Sequence, residues 1–215
     1  MLIYWIGNSC FLVQTSKGTN ILMSPFEGLD LNLLYDICPN IDIVTISHKV
    51  FDYSYLDPFK EKSIIIDNTK AFLFKDTKII GYPTYNDNIC GFKRGENIIY
   101  KISTEDFSLC HLGGLGHILN ECLIKEIGNI NVLFVPVGGN ITLNGNSACT
   151  VALSLQSNIV IPMCYKSSKC LYLSEDASRF IINMKNVSNI NHISVLLDQD
   201  ILSFKNQVML IKPLK

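Results

Sequence analysis

Apolar residues along this chain fall in short, dense runs rich in isoleucine and valine rather than in long amphipathic stripes. Runs of four to six such residues, bounded by Gly, Asn, Asp, Ser or Pro, read as buried strands. The pattern predicts strands over residues 2–6, 10–14, 20–23, 41–46, 63–66, 78–80, 98–102, 107–110, 132–137 and 159–163, with a late one over 207–211. Helical spacing of apolar positions appears at 119–127, 147–155 and 177–184. Early strands follow one another closely, whereas helices separate the later ones. That mixture predicts an α/β sandwich, two packed sheets flanked by helices, in one domain over residues 1–215.

The run at 41–46 feeds Ser47-His48-Lys49-Val50-Phe51-Asp52-Tyr53. Loops leaving buried strand ends are where enzymes place reactive groups, and a His and an Asp four residues apart are both zinc-ligand types. Two residues do not make a site, because zinc takes four ligands when structural and usually three plus water when catalytic. In the other reading His48 hydrogen-bonds locally and Asp52 caps a helical turn near Tyr53. His48, Asn86, Gly114 and Cys164 all fall at or just past the end of a predicted strand, so convergence at one sheet edge is expected. Gly113-Gly114-Leu115-Gly116 lacks the spacing of a Walker loop or a dinucleotide fingerprint and reads as a tight turn, with phosphate binding through its amides as the alternative. His111 and His117 read as hydrogen-bonded structural histidines.

The order of motifs resembles the metallo-β-lactamase superfamily, in its small-hydrolase branch that includes ascorbate-6-phosphate lactonase-like proteins. The matching segments are Trp5-Ile6-Gly7-Asn8-Ser9-Cys10-Phe11, Thr19-Asn20-Ile21-Leu22-Met23-Ser24-Pro25-Phe26, the His48 loop, Gly81-Tyr82-Pro83-Thr84-Tyr85-Asn86-Asp87, Gly91-Phe92-Lys93-Arg94-Gly95-Glu96-Asn97, His111-Leu112-Gly113-Gly114-Leu115-Gly116-His117, Val135-Pro136-Val137-Gly138-Gly139 and Ile161-Pro162-Met163-Cys164-Tyr165-Lys166. The resemblance implies a four-layer αββα sandwich and a ligand loop of the form His-x-His-x-Asp-His, completed by a His, a bridging Asp and a final His. On that pattern the ligand positions are His48, Val50, Asp52, Tyr53, Asn86, Gly114 and Cys164, with His117 near the rim of the same pocket. Only His48 and Asp52 keep the family residue. Val50 and Gly114 offer no donor atom, the Tyr53 phenol ionises ordinarily near pH 10, and Asn86 is a weak neutral ligand. Ser24 stands where the family usually has a supporting Asp.

Disturbing an outer-shell partner alone costs about 10 to 100-fold in metal affinity or activity, and here most of the inner shell is changed. The resemblance therefore implies a degenerate centre: no metal is expected, or at most a remnant held by Asp52, Cys164 and His48, with zinc at low occupancy. Without a cation Asp52 needs a partner, for which Lys49, Lys166 and the Tyr53 hydroxyl are candidates. Three functions follow. One is a non-hydrolytic binding or interaction protein. The second is a hydrolase of esters, lactones or phosphoesters with an altered, at most mononuclear site. The third is metal-free acyl transfer with Cys164 as nucleophile and His48 as base.

Composition narrows the partners. Apolar residues make up 48% and charged ones 17% of the chain, against about 25% charged in ordinary soluble domains, which suits two buried sheets and leaves apolar surface for a partner. The expected partner is a small molecule or a protein, a second copy of the chain included. A net charge of -1 with scattered basic residues gives no footprint for nucleic acid. Apolar runs stay well under the 18 or more residues of a membrane span, so no membrane association is expected. Eight cysteines without a Cys-x-x-Cys pair suit reduced thiols, and together with the absence of a basic, signal-like start they predict a cytoplasmic protein.

Overall fold

The computed structural model describes residues 1–48, 55–167, 170 and 173–214. Strands β1 (Leu2–Gly7), β2 (Cys10–Gln14) and β3 (Asn20–Met23) form an antiparallel meander, after which α1 (Leu31–Ile37) crosses to β4 (Ile43–Thr45) and β5 (Ile64–Ile66). Strands β6 (Phe72–Phe74), β7 (Thr77–Tyr85), β8 (Glu96–Ser103) and β9 (Ser108–His111) form a second meander. Then α2 (Glu121–Ile127), β10 (Val132–Pro136), α3 (Gly145–Leu155), β11 (Ile159–Met163) and α4 (Ser178–Asn183) alternate, followed by β12 (Val187–Ile190), β13 (Ser194–Leu196) and β14 (Gln207–Ile211). Among the described residues one sheet runs β13-β1-β2-β3-β4-β5 and the other β12-β14-β11-β10-β9-β8-β7-β6, each mixing parallel and antiparallel pairs.

The period-two alternation of the apolar runs sorts the layers. Val132 and Phe134 face the other sheet, where they meet Phe11, Val13, Ile21 and Ile43. Leu133 and Val135 face the helices and pack with Ala148, Val151, Ala152 and Phe180. On the outer face of the first sheet Leu12, Leu22 and Val44 pack with Leu34 of α1. The order helix, sheet, sheet, helix is the expected αββα sandwich. Tyr100 ties the two sheets at one end, its hydroxyl lying 3.1 Å from the carbonyl oxygens of both Ile46 and Ile66. Beside it the Ile98 N–H donates to the Ser47 carbonyl at 2.7 Å.

Several elements differ from expectation for local reasons. The helix expected over 119–127 begins two residues later, where the Asn120 side chain accepts from the Leu123 N–H. The strand expected over 78–80 extends to Tyr85 through Gly81 and Pro83 because β8 pairs along its whole length. Pro83 lies beyond the stretch that β6 covers, so its missing N–H breaks no ladder there. Helix α1 is absent from the predicted elements although Asp30 supplies its N-cap, accepting from the Leu33 N–H at 3.1 Å. The helical turn considered near Tyr53 lies outside the described residues. Among the described residues no helix is long and apolar enough to cross a membrane.

Candidate functional site

One edge of the sandwich collects the ends of β4, β7, β9, β10 and β11 with the turn between β1 and β2. Its backbone is held in unusual conformations. Asn8, Ser24 and Cys164 have φ of 48°, 48° and 50°, left-handed values that cost a non-glycine residue roughly 1–2 kcal/mol each. Neighbouring bonds impose them. The Asn8 carbonyl accepts both the Cys164 N–H and the Trp5 indole N–H at 3.0 Å, and the Ser24 N–H donates to the Thr45 carbonyl at 2.8 Å.

His48 belongs to a chain of buried polar atoms. Ser24 Oγ lies 3.0 Å from Ser47 Oγ, which lies 3.0 Å from His48 Nδ1. Burial pushes the His48 imidazolium pKa down to about 4, so the ring is neutral at pH 7. His111 is neutral for the same reason, with a pKa pushed down to about 4 by burial against an opposing pull from the Ser9 carbonyl. Both its nitrogens are occupied: Nε2–H donates to the Ser9 carbonyl at 2.9 Å and Nδ1 accepts from the Gly113 N–H at 3.2 Å. It pins β9 to the β1–β2 turn. His117 is half-buried, its Nδ1 2.9 Å from the Ile118 carbonyl and its Nε2 accepting from the Tyr85 N–H at 3.3 Å.

Asn86 fills the centre. It is 4% exposed and its Nδ2 donates to the carbonyls of Arg94 at 3.2 Å and Glu96 at 2.9 Å. Its Oδ1 is buried and has no hydrogen-bond partner among the described residues. A Cβ built on Gly114 would lie 2.4 Å from that oxygen and 3.1 Å from His48 Cε1, so His48, Asn86 and Gly114 meet at one point. Cys164 is buried on the same edge, beside the turn to which His111 is tied. Val50, Asp52 and Tyr53, with Lys49, lie outside the described residues.

Two residues of the matching segments, Asn97 and Asp87, have a supporting role that the sequence did not assign. Asn97 donates from Nδ2 to Thr84 Oγ1 at 2.8 Å and to the Leu112 carbonyl at 3.0 Å, while its Oδ1 accepts the Gly114 N–H at 2.8 Å. A lone Asn opening an apolar strand was the available signal. Asp87 is buried, with Oδ1 accepting from the N–H groups of Ile89 and Gly91 and Oδ2 from those of Lys93 and Arg94, at 2.7 to 3.0 Å. Burial alone would raise its pKa, but the four N–H donors outweigh that and hold it below the ordinary carboxylate range.

The space where the family pattern expects a bridging carboxylate is taken by the Asn86 carboxamide, and among the described residues no three His, Cys, Asp or Glu side chains are grouped to hold an ion. The described donor set does not fit a bridged pair of metal ions.

Residues 2–164 match the model of the beta-lactamase superfamily domain. The chain belongs to the metallo-β-lactamase superfamily. Its two mixed sheets are those of the metallo-β-lactamase fold. A Thermotoga maritima structure assigned to the Zn-dependent hydrolases of this superfamily superposes with a TM-score of 0.78 at 29% identity, covering 98% of this chain and 99% of that one. A UPF0173 protein of Pyrococcus furiosus is 25% identical over 180 residues, which are 77% of this chain and 83% of that protein. A UPF0173 metal-dependent hydrolase of Koribacter versatilis is 23% identical over 197 residues, with 75% and 82% covered.

Proposed function

We propose that this superfamily member is a binding protein in which a metal-free polar pocket, formed around His48, Asn86, Gly114 and Cys164 with His117 at its rim, takes the place of the paired-metal centre. On the family pattern Val50, Asp52 and Tyr53 belong to the same set of positions. The observation that carries this reading is the Asn86 carboxamide, whose oxygen lies 2.4 Å from where a Gly114 Cβ would sit and thus fills the space of a bridging carboxylate. The same oxygen suggests what is bound. A buried carbonyl oxygen left unpaired costs about 1–3 kcal/mol, so the favoured occupant presents an N–H or O–H donor to it. Within the superfamily, the motif order supports kinship with the small hydrolases that include ascorbate-6-phosphate lactonase-like proteins.

The names borne by the relatives favour a second reading, hydrolysis of an ester, lactone or phosphoester at an altered site. One ion would then be held by Asp52, Cys164 and His48 and would supply Lewis-acid activation of a carbonyl or phosphoryl oxygen. The neutral imidazole of His48 is in the protonation state this needs. Elemental analysis of protein purified without chelators and then incubated with zinc or manganese separates the two. Binding without metal predicts far less than one ion per chain, unchanged by Asp52→Ala, and no turnover in ester, lactone and phosphodiester screens. Near-stoichiometric metal that disappears in Asp52→Ala would overturn that reading in favour of the hydrolase.

A further inference from the structure

The segment following β7 is a rigid, aromatic-tipped finger. Its curl is fixed from inside by the four N–H bonds to the Asp87 carboxylate and by the Gly95 N–H donating to the Gly91 carbonyl at 2.8 Å. Gly91 has φ of +80° and lies so close to Tyr85 that a Cβ would come within 2.8 Å of its ring. At the tip Phe92 is 91% exposed, and Ile89 nearby is 49% exposed. Lys93 and Arg94 follow, neither in an ion pair with a described residue. An aromatic anchor held ready-made, with cations beside it, is how a low-entropy binding hot spot is built.

The same chain carries a receptor for it. Beside the β1–β2 turn lies a cavity of about 220 Å³ walled by Trp5, Phe26, Leu29, Leu33, Tyr165 and Leu214. An apolar cavity of about 150 Å³ already admits benzene, so a phenyl ring fits. Asp30 lines the cavity and Glu27 adjoins Phe26; both acidic residues are exposed.

We propose that Phe92 of one copy seats in this cavity of a second copy, with Lys93 and Arg94 facing Glu27 and Asp30. The occupant is a second copy because tip and receptor match in both respects: aromatic against apolar wall, and cations against carboxylates. The contact is heterologous, finger to cavity, and does not depend on whether the polar pocket binds metal.

The test is sedimentation velocity of the full chain over a wide concentration range, followed in parallel by the emission of Trp5, the chain's one tryptophan and a wall of the cavity. Wild type should associate as concentration rises, with a matching change in emission and weaker association at high salt. Phe92→Ser, at an exposed position, and Leu33→Trp, which fills the cavity from half-buried α1, should each raise the dissociation constant about thirtyfold. Mixing the two variants should restore a one-to-one pair, since one supplies the finger and the other the cavity. A wild type that stays monomeric, association indifferent to Phe92→Ser, or variants that fail to complement would overturn the proposal. So would monomers whose Phe92 drives binding to lipid vesicles instead.

Discussion

Placing a carboxylate at position 114 tests whether Asn86 has closed that space. Gly114→Asp introduces a Cβ 2.4 Å from Asn86 Oδ1 and 3.1 Å from His48 Cε1. The backbone is no obstacle, because Gly114 is not left-handed. Asn86 can retreat only by giving up its bonds to the Arg94 and Glu96 carbonyls. Overpacking costs about 1–3 kcal/mol and each buried bond about 1 kcal/mol, so the variant should lose roughly 3–5 kcal/mol. Asn86→Ala alone should lose about 1–3 kcal/mol, for the two bonds and a small cavity. In the double variant the overlap is gone. Its loss should fall short of the summed single losses by about 1–3 kcal/mol, read from urea unfolding of the four proteins at pH 7. Additivity within about 0.5 kcal/mol would refute the account.

Two further predictions concern buried titration and the finger. His48 and His111, with pKa values near 4 against an ordinary 6.5, bind fewer protons folded than unfolded between those values. Stability should therefore be level above about pH 6.5 and fall toward pH 4, by up to about 3 kcal/mol per histidine. A urea midpoint flat from pH 7 to 4.5 would contradict it, and His48→Gln should remove part of the slope. Replacing Asp87 by Asn leaves one of its two acceptor oxygens, so amide exchange at Lys93, Arg94, Ile89 and Gly91 should accelerate while core strands such as β10 keep their protection. Unchanged exchange there would show that the carboxylate does not hold the finger.

Much of the sandwich was legible because buried strands announce themselves by short, dense apolar runs: β2, β3, β11 and β14 fall on the predicted residues. Elements with weaker burial did not. Strands β12 and β13 are short and half-exposed, with Asn189 and Ser194 among them, so no apolar period marks them. The approach of His48, Asn86 and Gly114 was legible from strand ends, since loops leaving one sheet edge must come together. What Asn86 does there was not. That its amide turns toward two carbonyls and leaves Oδ1 in the space before Gly114 depends on the curl of residues 86–95, which a tertiary detail, the four-bond Asp87 carboxylate, determines.

The hydroxyl of Tyr100 and the bond from Ile98 to Ser47 sew β8 to the ends of β4 and β5 directly beneath His48. A sandwich stitched at that point cannot admit a visitor by parting its sheets like a clamshell. For the proposed pocket, an occupant would have to enter without the sheets parting here, and the position of His48 is a property of the stitched frame.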